Sequence, residues 1–225
     1  MVEEESLRPI YHKKTKVQDL GLHIDENNGE IILTLDRFVQ FREGEDERIY
    51  HYNLVDKAIE LNPTAKTILI LGGGDGLCSR NILRLLPKAI ITLVDFDKEV
   101  VDFCRTHEKI VRLNEGSLEH CILIYEDAKT WVKNINIFKF DIIILDLPDG
   151  TSEELKQLYT TEFYTDVVKL LTENGIISIQ THPDIKDKVQ NSINKLLKNS
   201  EVIVFKMPWL TEGAVVLGKH GKNNL

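Results

Sequence analysis

The sequence has no apolar stretch fit to cross a bilayer: its longest apolar runs are about five residues, where a helical span needs roughly 20. Its opening, MVEEESLRPI, lacks the apolar core of a secretory signal. Cysteine is scarce. Cys78, Cys104 and Cys121 are odd in number, widely spaced and without a C-x-x-C pair. That pattern offers no disulfide framework and no zinc spacing, and it suits a reducing compartment. Basic charge is in deficit, with 28 Lys and Arg against 36 Asp and Glu and a net charge of -8. An acidic surface excludes phosphate-backbone binding as a driving force, so nucleic acid is not an expected partner. It leaves a cationic small molecule open. These absences predict a cytoplasmic protein with no membrane segment.

What is present is ordinary globular material. The 225 residues are 42% hydrophobic and 28% charged, enough to bury a core without staples. Residues 1–18 are polar and read as an arm or edge element. Residues Leu20–Asp25 and Glu30–Asp36 alternate as strands around an Asn27-Asn28-Gly29 turn, which predicts a hairpin. Asp46–Leu61 carries Leu54, Val55, Ala58 and Ile59 on one helical face, and Asn62-Pro63 ends it.

From Lys66 onward apolar strands alternate with helices. Strands are expected at Thr67–Leu71, Ile90–Val94, Cys121–Tyr125, Asp141–Leu145 and Gly175–Gln180. Helices are expected at Leu77–Leu86, Lys98–Asn114, Phe163–Leu171 and Asp187–Lys198. Val202–Phe205 and Ala214–Leu217 read as a closing antiparallel pair. The rhythm predicts an α/β fold, a Rossmann-like open sheet covered on both faces, with ligands at the C-terminal strand ends. The expected division is an N-terminal arm and β-hairpin unit over 1–45, and a Rossmann-like domain over 46–225.

The chemistry sits where these strands end. Gly72, Gly73 and Gly74 follow the first apolar strand and let the backbone turn sharply against a ligand. Asp95 ends the next strand about 20 positions later, the place of a ribose-binding acid. The turn lacks the G-x-G-x-x-G spacing and the P-loop lysine, which favours an adenosine sulfonium over a dinucleotide or a triphosphate. Asp75, Asp127 and Asp146 with Asp149 bring further acids to the same sheet edge. Any one of them alone is most simply a helix cap or turn residue. Crowded together, carboxylates repel unless cations neutralise them. A sulfonium and an ammonium would do so. No His–carboxylate ligand pattern supports a metal.

The runs ILILGGGDGLCSRNIL, ITLVDFD, YEDAKTWV, FDIIILDLPDG, LYTTEFY and NGIISIQTHP, with LTLDRFVQFREGEDERIYHYNLV upstream, resemble the polyamine aminopropyltransferases, the spermidine synthase-like family. The resemblance covers about residues 30–182, in the family's order and spacing. The LVDFD and DLPD wording is closest to a bacterial branch whose members often carry an added membrane region, and no such run is read here.

The resemblance implies the methyltransferase-type Rossmann fold and a transfer from decarboxylated S-adenosylmethionine to an amine such as putrescine. It implies that Gln40, Asp95, Asp127 and Ala128 hold the methylthioadenosine part, and that Asp75 meets the aminopropyl ammonium. Asp146 is implied as proton acceptor, with Tyr50 beside it. His51, Asp149 and Gln180 are implied at the polyamine. It further implies a homodimer and no metal.

The chain departs from the family pattern in three places. Tyr52 stands where the family's Tyr-His/Gln-Glu triplet ends in Glu. Thr151-Ser152-Glu153 replaces a Gly-Pro, and Met207-Pro208-Trp209-Leu210-Thr211-Glu212-Gly213 replaces a tyrosine-bearing loop. Two other readings share the fold: a methyltransferase using intact S-adenosylmethionine, and a non-catalytic nucleoside- or polyamine-binding homologue. Trp131, Tyr159 and Tyr164 read as packing residues. His107, His120, His182 and His220 read as surface or capping residues.

Overall fold

A computed structural model describes residues 6–135, 138–148, 156–197 and 199–221. The N-terminal segment forms an antiparallel sheet in the order β1-β2-β3-β4, from Leu7–Lys14, Asp19–Asp25, Ile31–Leu35 and Phe38–Arg42. The turn between β2 and β3 closes at Gly29, whose φ of 78° needs no Cβ to be accommodated. Within the polar opening, Leu7–Lys14 is therefore an edge strand, paired with β2 among the described residues.

The helical stretch that follows is continuous but not uniform. Helix α1 (Glu45–His51) passes into a π-helical turn over Tyr52–Asp56 and then into α2 (Lys57–Leu61). A wider turn changes which side chains share a face. Here it lets His51, Asn53, Leu54 and Val55 all be buried.

The main sheet has seven strands in the order β10-β11-β9-β8-β5-β6-β7. They are β5 (Thr67–Gly72), β6 (Ile90–Asp95), β7 (Cys121–Tyr125), β8 (Phe140–Asp146), β9 (Leu171–Thr181), β10 (Asn199–Met207) and β11 (Thr211–Lys219). Strands β5 to β9 run parallel, and β11 and β10 close the sheet antiparallel. Order reverses between β5 and β8, where the chain has wound outward to β7 and returns to the other side. That switch point opens a crevice at the C-terminal strand ends.

Helices α3 (Leu77–Leu85), α4 (Lys98–Thr106) and α5 (Glu108–Asn114) share one apolar cluster with Ile68 and Ile70 of β5. Helices α6 (Ala128–Asn134), α7 (Thr161–Val168) and α8 (Lys186–Asn194) share the other with Leu69 and Leu71. The period-two alternation of β5 thus divides its four apolar side chains between two cores. Each fully buried Leu or Ile is worth roughly 1.5–3 kcal/mol. The small sheet contributes Leu20, Leu22, Ile31, Leu33 and Phe41 to the first core.

The helix expected over Lys98–Asn114 is instead two helices. His107 takes an extended conformation, φ -75° and ψ 117°, between α4 and α5. Its ring packs 4.8 Å from Phe103 and 6.2 Å from Tyr11 of β1, so tertiary packing overrides a helical sequence. His107 is therefore the N-cap residue of α5, as the capping reading expected, while its half-buried ring packs instead of facing solvent. Trp131 is buried in the second core, as its reading as a packing residue required. Among the described residues no helix is long and apolar enough to cross a membrane.

Candidate active site

The crevice is built from backbone first. Gly72 pairs with Asp146 across β5 and β8, and a Cβ on Gly72 would lie 2.1 Å from the Asp146 carbonyl oxygen. With φ values of 83° and 68° at Gly72 and Gly73, only glycine lets this turn form so close to β8. At Gly74 a Cβ would meet Oδ2 of Asp95 at 2.6 Å. The glycines bring the backbone against both acids.

Asp146 is the centre of the cluster. Tyr50, 96 positions earlier on α1, donates its hydroxyl to Oδ1 at 2.5 Å. Cys78 on α3 donates its thiol to Oδ2 at 3.3 Å. Burial, followed by the charge of Asp146, holds the Tyr50 phenol well above its ordinary range. Burial, then Asp146 and Asp75, does the same to the Cys78 thiol. Both donors therefore keep their protons.

One ring nitrogen of His51, Cys78 Sγ and an Asp146 oxygen lie within 4.8 Å of one another. A neutral thiol and a carboxylate already bonded on both oxygens make this a hydrogen-bonded cluster, poorly matched to a metal's need for deprotonated donors. His51 is buried, and its Nδ1 faces the Glu47 carbonyl oxygen at 2.8 Å. Its Nε2 is buried with no partner among the described residues.

Asp75 follows the glycines, and its Oδ1 accepts the Leu77 N–H at 2.8 Å at the start of α3. Burial, and then repulsion from Asp146, pushes its carboxyl up to about 6. Asp95 accepts the Asp97 N–H at 2.9 Å, and burial raises it to about 6 as well, with the charge of Asp97 adding. Asp97 caps α4 and also accepts the Thr15 hydroxyl at 2.8 Å and the Gln18 amide at 3.0 Å. The turn between β1 and β2 is thereby tied to the Asp95 loop.

The remaining sequence candidates are placed differently. Asp127 is exposed and caps α6 by accepting the Thr130 N–H at 2.8 Å, with Ala128 buried behind it. Gln180 lies at the end of β9, where the Tyr159 hydroxyl stands 3.2 Å from its Oε1. The same hydroxyl, with one proton to give, also stands 3.4 and 3.2 Å from the Leu147 and Pro148 carbonyl oxygens, so it links the β8 exit to β9 as well as packing α7. Gln40 stands exposed on β4 with its amide on the Phe38 carbonyl. Asp149 and Thr151-Ser152-Glu153 lie outside the described residues.

Sequence reasoning missed several members of this network. Glu47 and Arg80 form an ion pair buried on both sides, which leaves Glu47 ionised down to about 2 despite its burial, with His51 contributing most. Arg80 also holds Asn81 Oδ1, and Asn81 holds Asp56 at 2.8 Å. The one signal for this lay in α3 itself, where Arg80 and Asn81 stand between the apolar pairs Leu77-Cys78 and Ile82-Leu83. Asp46 and Cys78 carried no signal.

A spermine/spermidine synthase domain model matches residues 47–225. A polyamine aminopropyltransferase of Oceanobacillus iheyensis is 34% identical over 204 residues, which are 86% of this chain and 38% of that protein. The chain thus spans little more than a third of that relative's length. A polyamine aminopropyltransferase of Clostridium acetobutylicum is 31% identical over 230 residues, 96% of this chain and 79% of the relative. The crystal structure of spermidine synthase from Thermotoga maritima superposes with a TM-score of 0.81 at 25% identity, over 95% of this chain and 73% of that one. A spermidine synthase in complex with the transition state analogue AdoDATO gives a TM-score of 0.83 at 24% identity, over 95% of this chain and 74% of that one.

Proposed function

The chain belongs to the spermine/spermidine synthase family, and from that premise we propose that it transfers an aminopropyl group from decarboxylated S-adenosylmethionine to an amine. The observation that carries the reading is the Tyr50–Asp146 contact at 2.5 Å, standing beside the Asp75-bearing glycine turn at the sheet's switch point.

The donor's nucleoside lies along Gly72, Gly73 and Gly74, with its ribose hydroxyls on Asp95 and its adenine toward Asp127 and Ala128, and Gln40 approaches from β4. Asp75 meets the aminopropyl ammonium. An intact S-adenosylmethionine would set its own carboxylate against that charge. The acceptor is an amine such as putrescine, held by His51, Asp149 and Gln180. Burial disfavours a charge on His51, but its hydrogen bond to Glu47 and the charges of Asp75, Glu47 and Asp146 outweigh that and raise its pKa, so the unpartnered Nε2 is a donor suited to the neutral amine.

The acceptor amine is protonated near neutrality and must lose a proton before it can attack. Asp146 takes that proton. The amine nitrogen then bonds to the methylene carbon next to the sulfonium. The carbon–sulfur bond breaks with its electron pair going to sulfur, and neutral methylthioadenosine leaves. Holding the two reactants in line supplies most of the remaining acceleration. No metal is part of this scheme. The reading also carries a cytoplasmic location and a homodimer, checked by cell fractionation and sedimentation.

Mass spectrometry of mixtures containing the decarboxylated donor and a panel of diamines and polyamines tests the reaction. The expected product is one aminopropyl unit heavier than its amine, released with methylthioadenosine. Methylated products from intact S-adenosylmethionine would replace this reading with the methyltransferase one. Ligand binding with no product from either donor would leave a nucleoside- or polyamine-binding protein.

A further inference from the structure

We propose that Cys78 is a positioning residue for Asp146: its thiol holds the plane of the carboxylate and sets how readily Oδ2 takes a proton. The inference rests on the aminopropyl-transfer reading and deepens it. Cys78 is the second residue of α3, fully buried, with Sγ 3.3 Å from Asp146 Oδ2 across 68 positions. Tyr50 occupies Oδ1 at 2.5 Å. A carboxylate has about two acceptor sites on each oxygen. One donor on each oxygen therefore fixes its rotation and leaves one site per oxygen for the amine proton.

The two donors are unequal. A phenol at 2.5 Å is a strong partner, whereas a thiol is a weak one. A strong donor on Oδ2 would stabilise the carboxylate and make it a poorer base; an apolar side chain would leave it free to rotate. A thiol orients the group at small cost to its basicity. The glycine turn leaves room for this, since a Cβ on Gly73 would come within 3.3 Å of the same Oδ2. The thiol keeps its hydrogen, because burial and the nearby charges of Asp146 and Asp75 oppose its ionisation.

Several other ionisable groups face Asp146 or its partners. Tyr50 and His51 project from α1, Asp75 from the glycine turn and Asp95 from β6, with Tyr159 and the Glu47–Arg80 pair behind them. Of these, Tyr50 also feels Cys78, so the signal assigned to Asp146 itself, and not the kinetic limb alone, reports on the thiol contact.

The test compares pH–rate profiles of wild type, Cys78→Ala and Cys78→Ser. Loss of the donor in Cys78→Ala destabilises the charged carboxylate. The acid limb of kcat should move up by roughly half to one pH unit, and kcat should fall about three- to tenfold. The donor's KM should hold. Cys78→Ser restores a donor and should return the limb to its wild-type position or below. A packing role predicts lower kcat or melting temperature in both variants with the limb in place. An unmoved limb in Cys78→Ala, or a serine variant that tracks alanine, overturns the proposal.

Carbon-13 NMR of labelled aspartate carboxylates, with Asp146→Asn to assign the signal, reads the same titration without turnover. A wild type that makes no aminopropyl product would remove the transfer reading. The NMR titration would still decide the Cys78 contact, and an Asp146 midpoint identical in wild type and Cys78→Ala would sink it.

Discussion

Both oxygens of the Asp46 carboxylate accept the backbone N–H of Trp209, at 3.0 and 3.1 Å, across 163 positions of sequence. Oδ2 also takes the Leu210 N–H at 2.8 Å. The turn between β10 and β11 is thus fastened to the start of α1, the helix that carries Tyr50 and His51. The Arg42 guanidinium lies 4.7 Å from the centre of the Trp209 ring, on the side of the small sheet. A buried aspartate thus holds the shape of this turn.

Asp46→Asn keeps one acceptor oxygen and loses the charge. Charge-assisted hydrogen bonds are worth about 1.5–3 kcal/mol, so stability to denaturant should fall by that order. The amine's KM should rise about three- to tenfold, and the donor's KM should stay within about twofold. Steady-state kinetics with each substrate varied in turn measures both. Equal changes in the two KM values would show that the turn does not serve the amine side selectively.

Asp75 couples stability to the proposed donor site. Its carboxyl is pushed from an ordinary 3.8 up to about 6, chiefly by burial. A folded value above the unfolded one contributes stability that is complete at low pH and is lost as pH rises through the folded value. The window therefore runs from about pH 4 to about pH 6. Asp75→Asn should raise the stability of the ligand-free protein at pH 7.5 by about 1–3 kcal/mol and change little at pH 4. The same variant should lose donor affinity, because the ammonium's partner has gone. Wild-type donor affinity should rise with pH through about 6, as both Asp75 and Asp95 ionise. Denaturant melts at the two pH values, with calorimetry of the donor, measure these changes. A variant no more stable than wild type at pH 7.5 would mean that the charge is not buried at a cost.

The Glu47–Arg80 pair is the buried strut beneath the site. Each side chain is 3% exposed, and His51 Nδ1 lies 3.4 Å from Glu47 Oε1. Removing one member of a buried pair strands the other charge, which costs about 3–5 kcal/mol. Glu47→Gln should destabilise by that amount above pH 5. The folded Glu47 value of about 2 lies below its ordinary 4.5, so its contribution is present above 4.5 and fades as pH falls through about 2. The difference between wild type and variant should shrink on acidification below pH 4, and urea melts across that range would show it. A constant difference would assign the loss to packing rather than charge.

Much of this architecture was legible because it is local. The apolar runs at Thr67–Leu71 and Cys121–Tyr125 and the glycine turn after Leu71 announce themselves by composition, and strand ends follow from where apolar runs stop. The small hairpin was legible from Asn27-Asn28-Gly29. What was hidden depends on contacts across the topology. Cys78 meets Asp146 over 68 positions and Glu47 meets Arg80 over 33, and no spacing rule reveals either. The break at His107 follows from stacking on Phe103 and Tyr11, and the residues Arg105-Thr106-His107-Glu108 contain no helix breaker to signal it. The π-helical turn at Tyr52–Asp56 is likewise set by packing, with the Ser178 hydroxyl of β9 reaching the Leu54 carbonyl at 2.6 Å. The part of the site best read from sequence was the set of acids at the strand ends. Their protonation was not legible, because it depends on burial that only the folded chain creates.

Asp146 itself is the proton acceptor of the proposed reaction. It ends an apolar strand at the crevice, with Tyr50 on one oxygen and Cys78 on the other. Asp146→Asn keeps the size and shape of the side chain, but an amide cannot take a proton and carries no charge to attract an ammonium. Turnover should fall by roughly 10²–10⁴, the range for a lost general base. Methylthioadenosine binding should change little, because the nucleoside contacts are assigned to the Asp95 side of the crevice. The wild-type rate should rise with pH as more of the acceptor amine is free, and the variant should keep that rise. Single-turnover kinetics with equilibrium binding of methylthioadenosine separates the two effects. A variant with near-normal turnover would remove Asp146 from the proton path. A variant that lost turnover and nucleoside binding together would place its carboxylate in the donor site instead, and the division of the crevice into donor and acceptor halves would have to be redrawn.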